Sequence, residues 1–351
     1  MQQGISRRAL SRRALGRLAV AGGAALAAPG LIRARADEPL RLRVSLDTAP
    51  SHLRNVSITD YLKKLEAASG GKIKTELFSS GQLFADLDIA KALIQGQVEM
   101  ACPGLWTQTG FVPDADFCQL PILYGRTLEE AHKAFDGSAG AKVNTELGTK
   151  LRARVLGKWL DLGYQSWYTT SRPIHTLADL KDMKIRSPGG AGITWRIKFV
   201  GAIPNTTAWP NVPLALSQGT FDGLVSTNMS CASGQLWEAG VKHAFEDRQF
   251  IGEYVPLVSN AFWNKLTPDL QKTMSDLWEQ NIGAYRASTA KGQVDGRKLM
   301  ESHGVEFVEA TPEETAASRK KMLPQQDAMA KEIKVSPEMV KLVMQDLGVS
   351  S

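Results

Sequence analysis

Between Thr170 and Asn228 short apolar runs alternate with amphipathic ones: Met183 to Ile185, a helical pattern from Gly190 to Val200, Ala202 to Ile203, a short helix near Val212 to Ser217, then Phe221 to Ser226. That β-α-β-α-β rhythm constrains the fold most, because strands joined by helical crossovers build an open, largely parallel sheet. The first run ends in Arg186, and such sheets take ligands just outside the carboxyl ends of their strands. Ser187, Pro188 and Gly189-Gly190 follow as a turn that brings backbone N–H groups and a helix N-terminus to the same place, and both attract anions. Spacing alone leaves Arg186 two readings: a partner for a bound anion, or half of a surface ion pair.

The rhythm recurs nearer the start. Leu40 to Leu46 reads as a strand, Leu53 to Ala68 as a helix stopped by Gly70-Gly71, Lys72 to Phe78 as a strand, Asp86 to Gln95 as a helix and Val98 to Cys102 as a strand. Asp47-Thr48-Ala49-Pro50 is then a loop at the first strand's carboxyl end, the edge of a cleft. Helices are predicted over 127–135 and 138–151, and strands over 155–160 and 164–168. Thr267-Pro268-Asp269 opens a helix that runs to Ser302, with Gly304 as its stop. Its ~35 residues would span roughly 50 Å, so Gly283, Gly292 and Gly296 are read as a bend. Val305 to Val308 forms one more strand, and Thr311-Pro312-Glu313-Glu314 and Ser336-Pro337-Glu338-Met339 start two short helices.

Residues 1–36 follow the order of a signal peptide: Arg7-Arg8 and Arg12-Arg13, an apolar Gly/Ala-rich run from Leu18 to Ile32, then Ala34-Arg35-Ala36, with cleavage expected before Asp37. The paired arginines match the twin-arginine export route, and general secretion stays open because Leu15 stands where an aromatic is often seen. This segment holds seven Arg and no acidic residue, so its removal takes the formal charge from +6 to −1. The basic balance therefore gives no support to nucleic-acid binding, and an anionic ligand would have to be held by local charge. The three cysteines and five histidines fall at no metal or catalytic spacing, so no metal and no cofactor is expected, and the cysteines are read as buried. The remaining 315 of 351 residues exceed what one hydrophobic core usually organises, so two lobes are expected.

The pattern Asp179-Leu180, Met183-Lys184-Ile185-Arg186, Gly201-Ala202-Ile203-Pro204, Trp209, Ala215-Leu216-Ser217-Gln218-Gly219 and Asp222-Gly223 resembles the DctP family, the extracytoplasmic solute-binding proteins of TRAP transporters. Upstream, Ser69-Gly70-Gly71, Gly81-Gln82-Leu83, Ile94-Gln95-Gly96-Gln97-Val98-Glu99-Met100 and Leu120-Pro121 resemble the family's first lobe. The resemblance implies an α/β, two-lobed periplasmic-binding-protein-like fold of type II-like organisation, with interwoven lobes joined by crossing strands and a long kinked helix. Lobe I is expected over 37–163 plus 252–291, and lobe II over 164–251 plus 292–351.

Arg186 matches the family's ligand-pairing arginine by its place after the Asp-Leu and Met-Lys-Ile motif. Trp209 falls where the family usually sets an aromatic against the ligand, and Ser226 fits the spacing and Asn228 the chemistry of its polar contact. Asp47, Asp86 and Trp106 lie on loops expected to face the cleft. Ser166 stands where sialic-acid binders have a second arginine, and Gly104 where they have a glutamate, which disfavours a large polyhydroxylated sugar acid. Trp106, Trp167 and Trp209 are expected instead to line a pocket for a smaller 2-oxo, hydroxy or aromatic carboxylate. The function implied is periplasmic capture of that acid by lobe closure and its delivery, by a monomer, to the small and large TRAP membrane subunits. Two other classes are weighed, an α/β enzyme acting on a small carboxylate and a ligand-sensing subunit of a membrane receptor. Gly189-Gly190-Ala191-Gly192 lacks the third glycine of a dinucleotide loop, and no G-x-S-x-G elbow is present.

Overall fold

The computed structural model describes residues 38–349; the signal-peptide reading falls outside the described residues. Two sheets carry the chain. Strands β1 (Leu40–Ser45), β2 (Ile73–Phe78), β3 (Met100–Ala101) and β4 (Ala153–Val155) belong to the first. Strands β5 (Leu160–Tyr164) and β6 (Ser166–Thr169) leave it. β7 (Lys184–Ser187), β8 (Ile203–Thr206), β9 (Gly223–Ser226) and β10 (His243–Glu246) build the second. β11 (Ile251–Tyr254) and β12 (Leu257–Ser259) lead back, and β13 (Glu306–Glu309) is last. The first sheet is five-stranded in the order β2-β1-β3-β12-β4, the second six-stranded in the order β13-β10-β6-β9-β7-β8. Between them β5 and β11 form a two-stranded antiparallel ribbon with an irregularity at Gly252/Glu253.

The central rhythm is realised as read. β7 pairs in parallel with β8 and β9, with the helices Ala191–Phe199 and Val212–Ser217 as crossovers. The junction departs from the expected strands over 155–160 and 164–168. The apolar alternation there is broken by Asp161 and Gln165, which are buried because tertiary partners, His132 and Arg196, hydrogen-bond them. Period-2 reasoning cannot anticipate a polar residue satisfied from elsewhere in the chain.

The helix Pro268–Ser302 starts on a Thr267 side chain that accepts from the Leu270 amide, with proline at the first position. It buries Leu270, Met274, Trp278 and Ile282 against the helix Leu53–Ala68 and β5. Trp278 is fully buried; at ~200 Å² and ~25 cal/mol/Å² its burial contributes on the order of 5 kcal/mol. Two of its glycines serve close packing, since a Cβ at Gly296 would lie 2.9 Å from the carbonyl of Asn228 and one at Gly292 would strike Leu53, whereas Gly283 has open space around it.

The C-terminal helices correct the expected lobe boundaries. Pro312–Met322, Gln326–Glu332 and Pro337–Asp346 cover the first lobe, where Met322, Met329, Met339 and Val343 join a core with Leu120, Val143 and Leu257. Polar ties fix them there: Ser336 N donates to Asp114 at 2.6 Å, and Ile122 N to Gln326 Oε1 at 2.9 Å. Residues 292–310 alone of the segment 292–351 run with the second sheet.

Candidate functional site

The two sheets and the ribbon converge on one cavity. The first lobe contributes Asp47, Thr48, Asp86, Leu87, Trp106 and Thr107; the second contributes Arg186, Pro188, Trp209, Val225, Ser226 and Ser230; Leu162, Gln165 and Tyr254 come from the junction. The space is tight, leaving about 40 Å³ for the centres of water-sized groups, a few times what one water needs.

Arg186 sits at the heart of it. β7 is flanked by β8 and β9, and a carbonyl from each side fixes the guanidinium. Nε donates to Thr207 O at 2.9 Å and Nη1 to Val225 O at 3.4 Å. The ring centroid of Trp209 lies 5.6 Å from the guanidinium carbon. The residue is 3% exposed and forms no ion pair with any described residue. Burial lowers its pKa to about 10, with the nearby Asp47 opposing, so it remains a cation at neutral pH. An arginine carries five N–H donors, and carbonyls engage two here; the rest, including both on Nη2, have no partner among the described residues.

The facing wall is acidic. Asp47 follows β1 and Asp86 precedes the helix Ile89–Ile94, and Arg54 bridges them from behind through Nη2 to Asp47 Oδ1 at 2.5 Å and Nη1 to Asp86 Oδ2 at 2.7 Å. The remaining donors of Arg54 reach Thr48 Oγ1 and Cys102 O, and its guanidinium stacks 4.2 Å from the Tyr254 ring centroid. All of its N–H groups are thereby used. Burial raises Asp86 to about 7, with Arg54 opposing and Asp47 reinforcing the rise.

Trp106 takes the place of a side chain at 104: a Cβ on Gly104 would lie 2.3 Å from its ring. The indole tilts against Tyr254, 5.7 Å between centroids. Across the lobes His52 Nε2 and Ser230 Oγ lie 3.0 Å apart.

The family described as bacterial extracellular solute-binding protein, family 7 (DctP) matches residues 46–332. The chain belongs to the DctP family. It is 26% identical over 302 residues to the C4-dicarboxylate-binding periplasmic protein of Rhodobacter capsulatus, covering 84% of this chain and 88% of that one. In structure it is similar to a galactonate-bound sugar acid binding protein of Advenella mimigardefordensis (TM-score 0.83, 20% identity, 89% of this chain and 98% of the other). It is also similar to a galacturonate-bound TRAP periplasmic solute-binding protein of a Sulfitobacter species (TM-score 0.80, 22% identity, 88% and 100%). The two-lobed α/β fold and the solute-binding role therefore hold for this DctP member.

The residues nominated from sequence divide. Arg186, Trp209, Ser226, Asp47, Asp86 and Trp106 line the cavity. Asn228 does not: it opens a helix behind Thr227, its Oδ1 accepts from Tyr168 at 2.6 Å, and its Nδ2 donates to Glu246 at 2.5 Å. Ser166 is buried on β6 opposite Ser226, outside the lining, and Trp167 is a core residue whose Nε1 donates to Asp247 at 3.0 Å. The helix N-terminus after Gly190 is also taken, since the amides of Ala191 and Gly192 both donate to Asp116 Oδ2 at 3.0 Å. Sequence reasoning missed Gln165, Tyr254 and the supporting Arg54. The one available signal for Arg54 was an arginine seven residues after a strand-end aspartate.

Among the described residues one cluster has metal-ligating chemistry: His132, Asp161 and Glu253, whose ligating atoms lie within 4.8 Å of one another. Arg286 Nε approaches Asp161 to 3.4 Å and supplies a cation. Burial and the Asp161 charge raise Glu253 well above the usual range, which favours its protonated form. Leu162 and Tyr254 line the cavity while Asp161 and Glu253, their strand neighbours, face the other side of the ribbon.

Proposed function

We propose that this protein captures a small organic acid between its lobes and delivers it, chemically unchanged, to the membrane subunits of a TRAP transporter. The carrying observation is the unused donor edge of Arg186 in a buried, narrow cavity. A carboxylate is the group that satisfies it, because its two oxygens match parallel N–H donors and its charge compensates the buried cation. The ligands named for the relatives, a C4-dicarboxylate, galactonate and galacturonate, share that carboxylate, and it is the part of them we carry over. The limited space favours an acid smaller than a hexose derivative. Capture proceeds by closure, with hinges at the β5–β11 ribbon and the long helix. Residues 1–36 act as the export leader, by the twin-arginine or the general route, with cleavage before Asp37, so the mature chain works in the periplasm, as a monomer without cofactor.

The test is recovery of the solute. Native mass spectrometry of protein purified without added ligand, followed by thermal titration, should reveal an acid that returns unaltered after incubation. At 100 times its dissociation constant it should add about 2.7 kcal/mol of stability. An altered product, or no stabilisation by any acid in a broad panel, would sink the reading.

A further inference from the structure

The relatives' names leave open whether the ligand is a dicarboxylate or an acid with hydroxyl groups, and the walls of this cavity differ in what they can offer. Resting on the reading of Arg186 as the carboxylate partner, we propose that the ligand is a hydroxy monocarboxylate whose hydroxyl is held between Asp86 and Gln165. A second carboxylate would need a second free cation. Arg54 is the charge available on the facing wall, and every one of its N–H groups is already committed to Asp47, Asp86, Thr48 or Cys102. What the wall presents to the cavity instead is Asp47 and Asp86, so a second carboxylate would meet like charge.

The unused atoms specify the second group. Asp86 Oδ2 accepts from Arg54 and from the Gly104 amide at 2.9 Å, while Oδ1 takes no hydrogen bond from any described residue. Gln165 must turn its oxygen toward Arg196, a pure donor, 3.2 Å away, which leaves its NH₂ for the cavity that it lines. The hydroxyl of Tyr254 likewise has no partner among the described residues, and Tyr254 lines the same space. An acceptor on Asp86 and a donor on Gln165, both lining the one cavity, match a group that both donates and accepts. A hydroxyl does both; an ammonium only donates, and a carboxylate only accepts. Beyond its burial, the groups that set the charge of Asp86 are Arg54 on the first long helix, Asp47 after β1 and the Gly104 amide.

The experiment is calorimetric titration, at pH 8, of protein freed of bound solute by unfolding and refolding. The panel is lactate, glycerate and 3-hydroxybutyrate, with propionate and butyrate as their counterparts lacking hydroxyl, and succinate. At least one hydroxy acid should bind ten or more times tighter than its counterpart and than succinate, since a site built for a hydroxyl leaves buried polar atoms unpaired without it. Asp86→Asn should shrink the preference over the counterpart at least tenfold. Equal binding with and without the hydroxyl, tighter binding of succinate, or an unchanged preference in Asp86→Asn overturns this inference and leaves the carboxylate reading standing. Failure of every acid to bind overturns both.

Discussion

A Cβ on Gly104 would stand 2.3 Å from Cζ2 of Trp106, so the indole occupies the room that any side chain at 104 would need. Gly104 has φ −60, a value open to every residue, and the constraint is therefore one of space. Gly104→Ala should push the ring out of its seat against Tyr254 and into the cavity. Overpacking of this kind costs typically 1–3 kcal/mol. Differential scanning calorimetry should show a lowered Tm, and ligand titration a weakened response; a variant matching wild type in both would mean that the ring has another place to go.

Arg186→Met should separate binding from stability. The cation is buried without an ion pair among the described residues, and its lowered pKa records that burial disfavours its charge. Removing the charge therefore leaves the ligand-free protein as stable as wild type, or more so, the trade expected where a site is kept for function. Acid binding should fall at least a hundredfold, about 3 kcal/mol, because a buried carboxylate would be left unpaired. Arg186→Lys should bind poorly as well, since a point charge cannot keep the bonds to Thr207 and Val225 and serve two carboxylate oxygens together. Full affinity in Arg186→Lys would remove the two-pronged geometry from the account.

Much of this arrangement is legible in the letters, and the parts that are not share a cause. Short apolar runs and amphipathic spacing located the strands and helices around Arg186, because those signals are local. Strand-end placement put Arg186, Asp47 and Ser226 on one cavity, because open α/β sheets gather their ligand loops at one edge. Asn228 failed by two residues: Thr227 caps a helix, which turns Asn228 toward Tyr168 and Glu246. Arg54 looks like any solvated helical arginine until the fold brings Asp47 and Asp86 to it. The C-terminal helices show an amphipathic face, and an amphipathic pattern does not say which sheet the face will cover.

Asp116 ties the first lobe to the helix after β7. Its Oδ2 accepts from both Ala191 and Gly192, two amides that begin the helix and have no partner within it. Asp116→Ala should cost ~1–2 kcal/mol by the logic of a lost N-cap. Asp116→Asn, which keeps an acceptor, should recover much of that in urea unfolding. Equal losses in the two variants would show that the amides find another acceptor.

The ribbon carries the last prediction. Glu253 and Asp161 face each other across β5 and β11, and neither the Glu253 oxygens nor Asp161 Oδ2 meets a donor in the described structure. A proton held between them satisfies Asp161 Oδ2 and one of the Glu253 oxygens. The folded state therefore binds a proton that the unfolded chain releases near pH 4.5, since the Glu253 pKa is raised well above that value. Stability from this group is complete below the unfolded pKa and is lost as pH rises toward the folded one. In Glu253→Gln the amide donates to Asp161 at every pH, so the variant should lack this loss. Unfolding by urea at pH 5, 6.5 and 8 should show the variant gaining on wild type as pH rises. Taking the difference between the two proteins cancels the opposite trend of His52, whose buried ring is held neutral, and the parallel trends of Asp86 and Asp116. A difference independent of pH would mean that Glu253 is ionised in the folded protein and that some other cation, Arg286 first, neutralises it.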